Sequence, residues 1–163
     1  MKTTLQTLSG AEAFLAAYRQ RKEALNSAEP PWLSAQRQQA IESFQDSGFP
    51  TVADEEWRYT NVSPIVSTEF QITPQAASVA APPFKDDAAV NCLVFVNGQY
   101  DQQLSKTSSL PSGVLIGSLR TLLSDPKASD VLRVYLGRTL QAGRHGFTQL
   151  NTALWQDGPC VII

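Results

Sequence analysis

Cys92-Leu93-Val94-Phe95-Val96-Asn97-Gly98-Gln99-Tyr100, the stretch CLVFVNGQY, decides whether this chain is all-helical or mixed. Five apolar residues run unbroken from Cys92 to Val96, a length that suits a strand better than a helix. Asn97-Gly98 follows at once. Both positions of a two-residue hairpin loop need positive φ, and Asn-Gly tolerates this best. Gln99 to Leu104 is then the returning strand, and Gly113 to Ile116 a third. A hairpin set among helical patterns makes the chain α+β.

Upstream, Ser9-Gly10-Ala11-Glu12 has the form of a capping box. Ala11, Phe14, Leu15, Tyr18 and Leu25 follow at helical spacing, so a first helix is expected over 10–26. Glu29-Pro30-Pro31 interrupts it. Ser34 is the expected cap of a second helix, with Ala40, Ile41 and Phe44 on one face. Gly48 and Pro50 would stop it. The two helices form an N-terminal helical hairpin. Asp54 is the expected cap of a short helix opening at Glu55, where two acids suit the positive end of the helix dipole. Pro64 bars a long continuation. Residues 65–90, with Pro74, Pro82, Pro83 and several alanines, read as an extended or mobile linker.

Downstream, Ser118 caps a helix carrying Leu119, Leu122 and Leu123, and Asp125-Pro126 opens the next, with Val131, Leu132, Tyr135 and Leu136 as its stripe. Phe147, Leu150, Asn151 and Leu154 predict a last helix, stopped by Gly158-Pro159. Cys160 to Ile163 is strand-like with no partner after it, which suggests a chain cut from something longer. The expected division is a helical region 1–64, a Pro/Ala-rich linker 65–90, a mixed hairpin and helix region 91–158, and a terminal strand 159–163.

The 163 residues are 42% hydrophobic and 17% charged with a net charge of −2, which marks a globular chain. Clustered Lys and Arg, which nucleic acid demands, are missing; the short run Arg19 to Lys22 reads as a solvated helix face. No apolar run is long enough to span a bilayer. The N-terminus lacks the apolar stretch of a signal peptide, so the expected location is cytoplasmic.

Little in the sequence suggests catalysis. His145 is the single histidine, flanked by Arg144 and Gly146. No G-x-S-x-G elbow, phosphate-binding loop, H-E-x-x-H or C-x-x-C occurs. Two cysteines and one histidine cannot complete a four-ligand zinc or cluster site unaided. A thiol–imidazole pair of Cys160 and His145 is the one enzymatic alternative, and nothing in the sequence orients it. Asp54, Glu55 and Glu56 read as a solvated first turn, because adjacent helix residues point apart. Trp57, Arg58 and Tyr59 have two readings: anchors that dock a short helix on its own core, or a hot spot facing a protein partner.

One series of motifs occurs in order. It comprises Glu29-Pro30-Pro31-Trp32-Leu33, Gly48-Phe49-Pro50-Thr51, Asp54-Glu55-Glu56-Trp57-Arg58-Tyr59-Thr60-Asn61, Phe95-Val96-Asn97-Gly98, and Leu150-Asn151-Thr152-Ala153-Leu154 before Asp157-Gly158. From about Pro30 to the last residue it resembles the N-terminal part of the SufD family, scaffold components of SufBCD iron–sulfur cluster assembly. The resemblance implies that a helical region leads into a parallel β-helix, with Cys160 to Ile163 beginning it. It implies a non-enzymatic scaffold that pairs with a SufB-like paralogue and a SufC-like ATPase. It transfers no catalytic, cofactor or metal ligand onto this chain, and no cofactor is expected in it. Trp57, Arg58, Tyr59 and Asn151 are carried over only as structural signatures or partner contacts, Asn151 as a side chain that would bond exposed backbone.

Overall fold

A computed structural model describes residues 10–25, 29–68, 70, 79–80, 90–108, 110–138 and 145–163. Ser9 of the expected capping box, Arg144 and most of 65–90 lie outside the described residues. The chain falls into two compact units. One comprises Met1–Ile72 with Gly137–Leu154, the other Thr73–Leu136 with Trp155–Ile163. Helices and small antiparallel sheets together make it α+β.

The first unit is built on three helices: α1 (Ala11–Leu25), α2 (Pro31–Ser47) and α6 (Gly146–Leu154). Tyr18, Ala40, Ile41, Phe44, Leu150 and Ala153 form its buried core. The principal partner of α2 is α6 rather than α1, whereas sequence order places α6 with the mixed hairpin and helix region. Leu33, Arg37, Ala40, Ile41 and Phe44 are the buried stripe of α2, at the three- and four-residue spacing of one helix face.

Helix α2 opens four residues earlier than the expected Ser34 cap would place it. Pro30 takes the cap position without a side-chain bond, and Pro31 stands in the first turn. Proline costs nothing there, because a first-turn N–H has no intrahelical partner to lose. At the far end Gly48 (φ 67°) closes the helix, its N–H donating to Phe44 O at 2.8 Å. The expected helix after Asp54 is a single 3-10 turn, Glu55–Trp57. Asp54 makes no cap bond to it; its Oδ2 instead accepts from Thr51 N at 2.7 Å and from the Thr51 hydroxyl. Pro64 does not close the helical part of the chain. It sits in the first turn of α3 (Ser63–Ser67), where the sequence had suggested extended chain from Ile65.

In the second unit, β1 (Cys92–Val96) and β2 (Gln99–Lys106) pair across Asn97 (φ 51°) and Gly98 (φ 77°), so the loop adopts the two positive φ angles its residues invite. Val96↔Gln99 to Val94↔Asp101 are in register, and the next pair is Cys92↔Lys106. The surplus residues bulge from β2. Asp101 Oδ1 accepts from the N–H groups of Gln103 and Leu104, and Ser105 Oγ accepts from Val94 N in place of a ladder carbonyl.

Strand β3 (Leu115–Ser118) begins two residues later than expected and runs into α4 (Leu119–Leu123), with Ser118 Oγ accepting from Thr121 N. Asp125 Oδ1 accepts from Ala128 N at 2.8 Å and opens α5 (Pro126–Tyr135). Strand β4 (Pro159–Ile162) pairs antiparallel with β3, Leu115 facing Ile162 and Ser118 facing Pro159. The terminal strand therefore has a partner that precedes it, and that pairing is antiparallel. Hydrophobic pattern marks a strand but does not set its direction. Among the described residues, no helix is long and apolar enough to cross a membrane.

Candidate functional site

The conspicuous Trp57-Arg58-Tyr59 triplet is divided by the 3-10 turn that carries it. Trp57 is half-buried, with its ring 5.3 Å from Phe147. Phe147 in turn lies 5.3 Å from Phe49, which meets Phe44 at 5.1 Å and Phe14 at 5.5 Å. Trp57 thus ends an aromatic row that starts in the core, and its contact area anchors the turn. Tyr59 points the other way, 92% exposed, with the Arg58 guanidinium 5.7 Å from its ring centre. Of the two readings, the geometry gives docking to Trp57 and an outward-facing surface to Arg58 and Tyr59. Asn151 is exposed on α6.

His145 stands immediately before α6. Its Nε2 lies 2.6 Å from Glu56 Oε2, and its ring 6.4 Å from that of Trp57. These residues, with Asp54 and Glu55, line a cleft of about 400 Å³ beside the Phe49–Pro50 segment. On the other side of that segment a cleft of about 690 Å³ is walled by Val52, Val62 and Val66. The triplet is flanked by concave surface that sequence spacing could not reveal.

Arg37 is not among the residues that the sequence pattern singles out, and Arg21 figures there only within a solvated helix face. Arg37 is 2% exposed in the middle of the α2 stripe. Its Nε and Nη2 donate to the two carboxylate oxygens of Glu29, at 3.0 and 2.9 Å. Its Nη1 donates to Ala153 O at 3.1 Å and Thr152 O at 3.4 Å, carbonyls in the last turn of α6. Arg21 Nη1 donates to Leu154 O there as well. Two guanidinium groups thus meet the negative end of the α6 dipole. At the opposite end, Ser47 Oγ donates to Gln149 Oε1 at 2.8 Å. A Cβ placed on Gly146 would stand 2.0 Å from Gly48 O. The one signal for Arg37 in the sequence was its spacing of three and four residues from Leu33, Ala40 and Ile41.

The thiol–imidazole pair finds no support in the surroundings of its members. His145 belongs to the first unit and is partnered by Glu56; Cys160 belongs to the second, on β4 opposite Gly117. Burial pushes the Cys160 thiol above its ordinary value, whereas a nucleophilic cysteine needs its thiolate favoured. Among the described residues, no three His, Cys, Asp or Glu side chains converge as metal ligands.

Residues 8–163 match the family model described as the SufBD protein N-terminal region. An iron–sulfur cluster assembly SufBD family protein of Synechocystis sp. is similar to this chain, 32% identical over 130 residues, which cover 78% of this chain and 28% of that relative. The match therefore spans less than a third of the relative's length. With the helical frame around Phe49, the Glu29–Arg37 clamp and the hairpin now located in the matched segment, the chain belongs to the SufBD family by way of its N-terminal region.

Proposed function

We propose that this chain is the N-terminal part of a SufD-like scaffold subunit that takes part in iron–sulfur cluster assembly. In this reading it works in the cytoplasm, in a SufBCD-type complex with a SufB-like paralogue and a SufC-like ATPase. Its role is docking rather than catalysis, and it carries no cofactor of its own. Strand β4 would stand at the entry to a parallel β-helix. The family match over residues 8–163 carries the reading, and the outward-facing Tyr59 supports a protein-contacting role.

Co-expression of the full-length gene product with the SufB-like and SufC-like proteins of the same organism tests it. Stoichiometric co-purification is the expected result. The reading is refuted if every pairing elutes as separate proteins at micromolar concentration. A stoichiometric, chelator-resistant iron–sulfur absorbance in the purified monomer would refute the assignment of docking alone. A second reading, an interaction module outside cluster assembly, draws on the exposure of Tyr59 and the flanking clefts. It predicts capture of partners other than the Suf proteins.

A further inference from the structure

We propose that the two clefts flanking Phe49 and Pro50 form one docking site for a partner polypeptide segment that carries an apolar side chain beside a lysine or arginine. This deepens the reading above and rests on it only for the assembly to which the partner belongs. The larger cleft, about 690 Å³, presents Phe49, Pro50, Val52, Val62 and Val66. Its size and apolar walls suit one or two aliphatic side chains. Val52 is 57% exposed, so an entering side chain would cover it. The smaller cleft shares the Phe49–Pro50 wall and carries Asp54, Glu55 and Glu56 beside Trp57.

Charge selects the occupant. Three carboxylates face this cleft, Glu55 and Glu56 from the 3-10 turn and Asp54 just before it. His145, which also lines this cleft, is paired with Glu56, and Arg58 lies outside the lining, over the ring of Tyr59. Asp54 is held by the N–H and hydroxyl of Thr51, which fixes its carboxylate in place. Negative charge is in surplus, and the Trp57 ring adds the face that cations favour. An acidic or purely apolar segment would fill one cleft and be repelled by, or leave dry, the other. A basic side chain next to an apolar one satisfies both.

Val52→Asp and Glu55→Lys, made separately in the full-length gene product and co-expressed with the SufB-like and SufC-like proteins, test the site. Both residues are exposed, so melting temperature should hold. Each variant should lower the recovered complex about tenfold or more, as loss of a hot-spot contact does. Wild-type recovery should fall as salt rises from about 0.1 to 1 M. Undiminished complex in both variants would overturn the site. If the wild type forms no complex, the proposed function fails, and amide spectra of the chain with the probe peptide acetyl-Gly-Leu-Lys-Gly-amide decide the site independently. Shifts at Val52, Asn61, Val66 and the Trp57 indole at about 1 mM peptide, absent when glutamate replaces lysine, are expected. No shifts, or equal shifts with both peptides, would overturn it. So would dimerisation lost in Val52→Asp, or binding seen only after removal of residues 2–8, because these give the groove to a second copy or to the chain's own N-terminus.

Discussion

Arg37→Met is the most informative single change in this molecule. The methionine keeps an unbranched apolar stem but is shorter than arginine and removes the guanidinium. Lost with it are the bidentate pairing to Glu29 and the bonds to Thr152 O and Ala153 O. The side chain of Glu29 is only 11% exposed, so its carboxylate is left nearly buried without its counter-charge. Removing one member of a buried pair costs about 3–5 kcal/mol, mostly as the penalty on the stranded partner. For a chain of this size that corresponds to a fall in melting temperature of about 6–20 °C. Replacing the partner too, as Glu29→Gln with Arg37→Met, removes the stranded charge and should recover about half of the loss. Arg37→Lys should be intermediate, because a point charge cannot span both carboxylate oxygens and two carbonyls. Chemical denaturation of wild type, Arg37→Met, Glu29→Gln and the double variant gives the coupling energy directly. An Arg37→Met variant within about 0.5 kcal/mol of wild type, or a double variant worse than the sum of its singles, would refute this account of the clamp.

Gly146→Ala should destabilise by about 2 kcal/mol or more, since its Cβ would stand 2.0 Å from the Gly48 carbonyl oxygen, whereas Gly158→Ala, with open space around it, should stay within about 0.5 kcal/mol in the same urea titration. Trp57→Ala should cost about 1–3 kcal/mol through its lost packing on Phe147, and Tyr59→Ala less than about 0.5 kcal/mol, as read by thermal melts. Iodoacetamide should label Cys160 more slowly at pH 8 than a free thiol, because burial raises its pKa. The folded state then holds this proton more tightly than the unfolded one. Its stabilising contribution is complete below the unfolded pKa and is lost as pH rises through the folded value, so stability should decline from about pH 9 upward.

The elements that sequence announced most clearly were those whose chemistry is local. Asn97-Gly98, Ser118 and Asp125 act on backbone within three residues of themselves, and each does what its side chain and allowed φ dictate. Pro31 and Pro64 do interrupt what precedes them, but each also stands in the first turn of the next helix, a second use that the sequence does not announce. What was illegible is long-range. Nothing near Gly146 says that the Gly48 carbonyl will press against it, and nothing near Arg37 says that the end of α6 will. Strand direction at Cys160 was likewise unavailable from an apolar run, since alternation fixes the faces of a strand and not its neighbour. The candidate site follows the same rule. Trp57, Arg58 and Tyr59 stood out by composition, but only the turn beneath them sends the first inward and the last into solvent.

The first unit takes its core from both sides of a long intervening stretch. Phe44 and Ile41 are made early, while Leu150 and Ala153, which cover them, lie about a hundred residues later. At ordinary synthesis rates the ribosome needs roughly 5–20 s to deliver that stretch. For this interval the first two helices emerge with an oily seam uncovered, so the nascent chain is a client for chaperones until residues 146–154 appear. A fragment ending before Gly146 would inherit the same exposed seam permanently, and solubility of such a fragment is the quantity in which the late helix's contribution would be felt.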